Sequence, residues 1–242
     1  MERRDLTKQL IVEFIGPFTL CFAGISAIIA TEGADLVAIA LAHGLAIGLM
    51  ITAAGHISGG HFNPAVTLGF LAARRIALSH AGLYIAVQLL GGFAGALVAR
   101  LCFPDVAVEA VNGGIPALGT VAGVTVSTGQ ALVMEIVLTF FLVFVIFGAA
   151  VDGKTGRWIA GLAIGLIITM DILAGGAVSG AAMNPARALG PQLLEGDLAN
   201  AWVWIVGPIA GGLAGALLYN DVLFPGVAGD SAPAPDPAPH LE

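Results

Sequence analysis

The sequence predicts an all-α membrane protein in which six transmembrane helices and two half-helices form an inverted repeat. Three observations predict it. Of 242 residues, 58% are hydrophobic and 10% charged, with a mean hydropathy of +0.96, too apolar for a domain solvated by water. Six apolar stretches are long enough to cross ~30 Å of hydrocarbon, which takes about 20 helical residues. The first half of the chain also repeats in the second, with an odd number of crossings in each.

The crossings are expected at roughly 9–30, 36–57, 81–103, 131–151, 158–176 and 201–224. The first is too long and too lightly charged for a cleavable signal peptide, so it is expected to remain as a span. Arg3, Arg4, Lys8, Arg74, Arg75, Lys154 and Arg157 fall before span one, between spans two and three, or between spans four and five. The positive-inside rule makes that side, and with it both termini, cytoplasmic; the cell membrane is the expected location. Arg100 falls on the other face with Glu32, Asp35, Asp105, Glu109, Glu195 and Asp197, which leaves Arg187 as the misplaced cation. Thirty-four glycines suit close helix packing in lipid. A net charge of -7 gives no reason to expect a nucleic-acid partner. Cys21 and Cys102 lie on separate apolar runs without metal-ligand spacing, so neither a metal nor another cofactor is implied. From Pro225 onward the chain is proline-rich, and 225–242 is expected to be a disordered tail to a channel domain at 1–224.

Sliding the chain against itself aligns the halves, about 8–103 and 130–224, at an offset near 121. Glu13 meets Glu135, Ser58-Gly59-Gly60-His61-Phe62-Asn63-Pro64-Ala65 meets Ser179-Gly180-Ala181-Ala182-Met183-Asn184-Pro185-Ala186, and Phe93-Ala94-Gly95-Ala96-Leu97 meets Leu213-Ala214-Gly215-Ala216-Leu217. Three crossings per half oblige the halves to run in opposite directions. Each half carries a short apolar segment, about 62–73 and 183–194, led by Asn-Pro-Ala. Ten helical residues reach only ~15 Å, half the hydrocarbon. Proline suits a first helical turn and asparagine its cap. Two half-helices thus enter from opposite faces with their amino ends meeting near the midplane, where irregular backbone must line a protein cavity or a wet path.

Paired Asn-Pro-Ala boxes, each with Ser-Gly five residues upstream, at mirrored places in a six-span repeat resemble the aquaporin, or major intrinsic protein, family over roughly residues 8–224. The second box reads Asn184-Pro185-Ala186-Arg187, and Gly55-His56-Ile57-Ser58-Gly59 through Thr67-Leu68-Gly69 looks like the family's first pore loop. The resemblance implies a passive channel for water, with ammonia, urea or hydrogen peroxide as further candidate solutes, that excludes protons and ions and assembles as a homotetramer in a lipid bilayer.

The residues support that reading independently. Each half-helix aims a positive amino end, worth ~+0.5 charge, at the channel centre, a barrier to cations and migrating protons. Asn63 and Asn184 can cap with their side-chain oxygens while offering amide hydrogens to a passing water. The resemblance makes the non-helical carbonyls of Gly59, Gly60, His61, Gly180 and Ala182 a ladder of acceptors along the pore. Glu13 and Glu135 are costly in lipid unless given donors; bracing of the loop backbone is a better reading than proton transport.

Carrying over the family's filter gives His43, Ile172, Ala181 and Arg187. His43 and Ile172 depart from the Phe and His of strict water channels and look like the plant tonoplast intrinsic proteins. Taken alone, His43 reads as a packing histidine. Arg187, a guanidinium at lipid depth, has few uses other than as a pore donor and charge barrier. Ala188 follows it where glycerol facilitators typically place Asp, so glycerol is disfavoured, although Trp204-Ile205 departs from the aromatic pair of water-selective members. Asp171 is a second departure, expected to bond loop backbone or pair with a filter cation rather than act as a gate. A serine hydrolase is set aside because Ser58 and Ser179 lack a Gly-x-Ser-Gly context. A proton-coupled transporter would have only Asp171 and His43 to work with.

Overall fold

In a computed structural model, residues 3–224 are described except Gly153 and Thr155; the tail at 225–242 lies outside the described residues. The helices are α1 (Arg3–Ala30), α2 (Leu36–Ser58), α3 (Pro64–Ala72), α4 (Leu78–Cys102), α5 (Asp105–Ala110), α6 (Thr128–Ile146), α7 (Ala160–Ser179), α8 (Pro185–Glu195) and α9 (Val203–Leu217). Wider π-type turns carry α6 on through Phe147–Val151 and α9 through Leu218–Leu223. Six of these are long and apolar enough to cross a membrane, and the protein is an integral, multi-pass membrane protein. α4 begins three residues before the expected start because Ser79 and His80 lower the local hydropathy without disturbing its backbone.

Their polarity is reversed relative to a soluble bundle. Val37, Leu41, Leu45 and Leu49 recur one turn apart along α2 and face outward. Charged and polar side chains such as Glu13, Gln88, Glu135 and Arg187 are buried. Lipid solvates the first set, and the second must find partners inside the protein.

The two halves build alike. In the first, α1 packs on α2 and α4; in the second, α6 packs on α7 and α9. α2 and α7 join the halves through a seam of small residues. Gly44, Gly48 and Thr52 on α2 face Thr169, Gly165 and Gly161 on α7 in antiparallel order. A Cβ on Gly48 would sit 2.8 Å from the carbonyl oxygen of Gly161, and one on Gly165 would sit 2.7 Å from that of Gly44, so only glycine allows the approach. Thr52 and Thr169 return their hydroxyls to the carbonyls of Gly48 and Gly165, 2.8 and 3.0 Å away, leaving no orphan donor in the seam.

Each half-helix is short for the reason the sequence suggests. Pro64 and Pro185 occupy the first turn, Asn63 and Asn184 cap, and nine or eleven residues follow. Packing between the two halves holds them on opposite partners, α3 against α9 and α8 against α4. Between α4 and α6, the chain forms α5, a tight turn at Asn112–Gly114, and a two-stranded hairpin pairing Thr120–Val121 with Val124–Thr125.

Candidate functional site

The pore loops reach their positions through backbone that side chains rarely adopt. Gly59 and Gly180 end α2 and α7 in left-handed geometry, with φ of 94° and 76°. Gly60 and Ala181 follow at 65° and 44°, and Phe62 and Met183 at 52° each. The second loop therefore stores strain at alanine where the first uses glycine, about 1–3 kcal/mol for such a residue.

Buried carboxylates hold both loops. Glu13 Oε1 accepts from Ser58 Oγ (2.7 Å) and His61 N (3.0 Å), and Oε2 from Phe62 N (2.8 Å) and Gln88 Nε2 (2.8 Å). Glu135 repeats this with Ser179 Oγ (2.7 Å), Ala182 N (2.9 Å) and Met183 N (2.8 Å). Four donors in one half and three in the other give each carboxylate the partners that burial demands. The bracing expected of Glu13 and Glu135 is thus present in the geometry. The aromatic anchors beside them escaped the sequence reading: Tyr84 Oη donates to Ser58 O and Trp204 Nε1 to Ser179 O, both at 2.8 Å. Trp204, noted in the sequence only as a departure, is the mirror of Tyr84 at the repeat offset.

The half-helices meet at their caps. Asn63 Oδ1 accepts from Ala65 N at 2.8 Å and Asn184 Oδ1 from Ala186 N at 2.9 Å. Each amide also reaches across: Asn63 Nδ2 donates to Met183 O and Asn184 Nδ2 to Phe62 O. One hydrogen of each amide is thereby committed, and the other remains to be offered.

A cavity runs past this junction. It is lined by His43, Ile172, Ala181 and Arg187, by Asn63 and Asn184, and by apolar walls of which Ile47, Val66, Ile164 and Ile168 are part. All four expected filter residues are therefore brought together, as are Gly60, His61 and Ala182. Gly59 and Gly180 are the exceptions among the expected carbonyl positions. They are not among the residues lining this cavity; each is the left-handed cap that turns the chain out of its helix. Within the lining, His43 Nδ1 lies 2.8 Å from Ile39 O and donates to it, which makes Nε2 of the neutral ring an acceptor. Arg187, 3% exposed, donates from Nη1 to Gly114 O at 3.0 Å. His61 is itself buried, with Nδ1 3.2 Å from Thr67 Oγ1 and its ring against Phe70 and Tyr84.

Asp171 does not do what its position suggested. Both carboxyl oxygens are buried with no hydrogen-bond partner among the described residues, so it neither bonds loop backbone nor pairs with a filter cation. Its place on α7, one residue before Ile172, turns it away from the cavity lining.

Residues 1–219 match the Major intrinsic protein family. The chain belongs to the aquaporin, or major intrinsic protein, family. Aquaporin NIP1-1 of Oryza sativa subsp. japonica is 41% identical over 221 residues, covering 90% of this chain and 75% of that relative. Nodulin-26 of Glycine max is 38% identical over 90% of this chain and 78% of its own. Aquaporin TIP4-4 of Zea mays is 41% identical over 90% and 87%. Among solved structures, the aquaglyceroporin from Plasmodium falciparum superposes with a TM-score of 0.81 at 25% identity, covering 91% of this chain and 98% of that one. Members of the family are channels and not enzymes, and this aquaporin-family chain is a membrane channel for small neutral solutes.

Proposed function

We propose that the chain conducts water, together with small neutral solutes such as ammonia, urea or hydrogen peroxide, and excludes protons and ions. His43, Ile172, Ala181 and Arg187 are its selectivity filter. The observation that carries the reading is the convergence on one buried cavity of two helix amino ends, their two asparagine amides and the Arg187 cation.

The chemistry follows from those groups. A water oxygen beside Asn63 and Asn184 accepts from the uncommitted amide hydrogens and points its own hydrogens away along the file. A file oriented outward from its centre does not relay a proton, and the positive helix ends repel one. Carbonyls of Gly60, His61 and Ala182 accept from those waters. At the filter, apolar Ile172 and Ala181 leave hydration to His43 and Arg187, whose fixed charge opposes cations. Ammonia and urea can make the same bonds without carrying charge.

The protein unit is residues 1–224, with both termini in the cytoplasm, and it sits in the cell membrane as a homotetramer with one pore per subunit. The charge placement of Arg74, Arg75 and Lys154 supports the orientation.

Stopped-flow light scattering of proteoliposomes, challenged in turn with an impermeant osmolyte, urea and glycerol, tests the reading. Fast osmotic shrinkage with slower urea entry is expected, and Arg187→Val is expected to raise urea entry and leak some cations. Unaltered selectivity in folded Arg187→Val removes the filter assignment. The likeness to a structure described as an aquaglyceroporin favours a second reading, in which the main solute is glycerol, or ammonia, urea or peroxide, rather than water. Glycerol entry as fast as water exit would establish it.

A further inference from the structure

We propose that the ion pair of Arg100 and Glu195, acting through the turn at Asn112–Gly114, positions the Arg187 guanidinium and so helps to set which neutral solutes pass. The inference rests on the reading of Arg187 as a filter residue.

An arginine side chain has many rotamers, and one that lines a cavity holds a single position only if its donors are anchored. The anchor is the carbonyl of Gly114, 3.0 Å from Nη1. That carbonyl is aimed by an uncommon run of backbone: Asn112, Gly113 and Gly114 have φ of 47°, 60° and 72°. Such a run persists where its surroundings over-determine it.

Two neighbours do so. A Cβ on Gly114 would lie 3.1 Å from Ile25 Cγ2 on α1, and one on Gly113 would lie 2.6 Å from Glu195 Cγ and 2.8 Å from its Oε1. Glu195 is thus the floor of the turn. Arg100, at the end of α4, fixes it by donating from Nη1 to both carboxylate oxygens, at 2.6 and 2.7 Å, with Asp105 3.8 Å from Nη2. The pair is mostly covered, with side chains 30% and 20% exposed, which strengthens it over a fully solvated one.

Arg187 and Glu195 lie on the same helix, about two turns apart. α8 therefore grips the turn twice, with the Glu195 side chain beneath Gly113 and the Arg187 guanidinium on Gly114. Releasing Glu195 loosens the acceptor and leaves the filter cation free to swing.

The readout is the ratio of urea to water permeability in proteoliposomes, taken on protein that elutes as wild type. A merely structural pair would lower the yield or thermal stability and leave this ratio alone. Glu195→Ala and Arg100→Gln are expected to raise the ratio about threefold or more, in the range that indirect contacts modulate a coupled site. Arg100→Lys, which keeps the charge, is expected to stay near wild type. Glu195→Gln, nearly isosteric, serves where Glu195→Ala gives no folded protein. A wild-type ratio in the charge-removing variants, or an equal disturbance in Arg100→Lys and Arg100→Gln, overturns the proposal if Arg187→Val does raise the ratio. If Arg187→Val leaves the ratio unmoved, the filter reading itself has failed.

Discussion

Asn63 and Asn184 each donate an amide hydrogen to the carbonyl that precedes the other, Asn63 to Met183 at 2.8 Å and Asn184 to Phe62 at 2.9 Å. Each asparagine caps its own half-helix and clasps the opposite loop. Substituting either by alanine is expected to lower stability by ~1–2 kcal/mol through the lost cap alone. Because both clasps hold the same two loops, Asn63→Ala with Asn184→Ala should cost less than the sum of the singles, by about 0.5–3 kcal/mol. Thermal unfolding in detergent across the double-mutant cycle measures this, and strict additivity would show the clasps to be independent.

Tyr84 and Trp204 perform the same task with different rings. Tyr84→Phe removes only the hydroxyl that reaches Ser58 O and is expected to cost ~1 kcal/mol. Trp204→Phe removes the bond to Ser179 O and also leaves a void at a site that is 1% exposed, so it should cost more. Equal midpoints for the two variants would contradict the added cost of the void at Trp204.

The seam between α2 and α7 distinguishes one glycine from another. Gly165→Ala brings a methyl group 2.7 Å from Gly44 O and 3.3 Å from Gly48 Cα, backbone that cannot move aside, and should destabilise by about 1–3 kcal/mol. Gly82→Ala, in helix α4 with nothing within 4 Å of the new carbon, should stabilise by ~0.5–1 kcal/mol. Yield and melting temperature of the pair, expressed side by side, are the check.

Thiol chemistry can report on the cavity wall. Cys21 is fully buried and Cys102 is exposed at the end of α4, and neither lines the cavity. Mercurials should therefore inhibit the wild type weakly and Ala181→Cys strongly, with recovery on adding a reducing thiol. Strong block of the wild type that disappears on removing Cys21 or Cys102 would contradict this placement.

Much of the fold was legible because lipid makes simple demands. Span lengths, the reversed repeat and the two proline-led half-helices follow from hydropathy and from Asn-Pro-Ala alone, and the structure places all of them. Glu13 and Glu135 were legible as braces because a carboxylate in a span must find donors. The other parts of the brace were not: Gln88 reaches Glu13 across 75 residues of chain and Tyr84 reaches Ser58 O across 26, and neither stands out within a helix. Gly59 and Gly180 were expected in the carbonyl ladder; sequence shows that a glycine follows a helix but not that its left-handed φ ends the helix there. Asp171 was misread for a related reason. Its spacing from Ile172 placed it near the filter, while the rotation of α7 buries it elsewhere. The Arg100–Glu195 pair was foreshadowed only by both residues falling on one face.

The clasp between the half-helices also orders events during synthesis. Asn63 finds its acceptor 120 residues further along the chain. At ~5–20 residues per second, the first loop waits on the order of ten seconds for it. Throughout that interval a capped but unclasped half-helix, with the Phe62 carbonyl unserved, must be sheltered by the insertion machinery or by neighbouring spans. Quality control that samples nascent membrane proteins has its clearest opportunity then, before the second loop arrives to close the first.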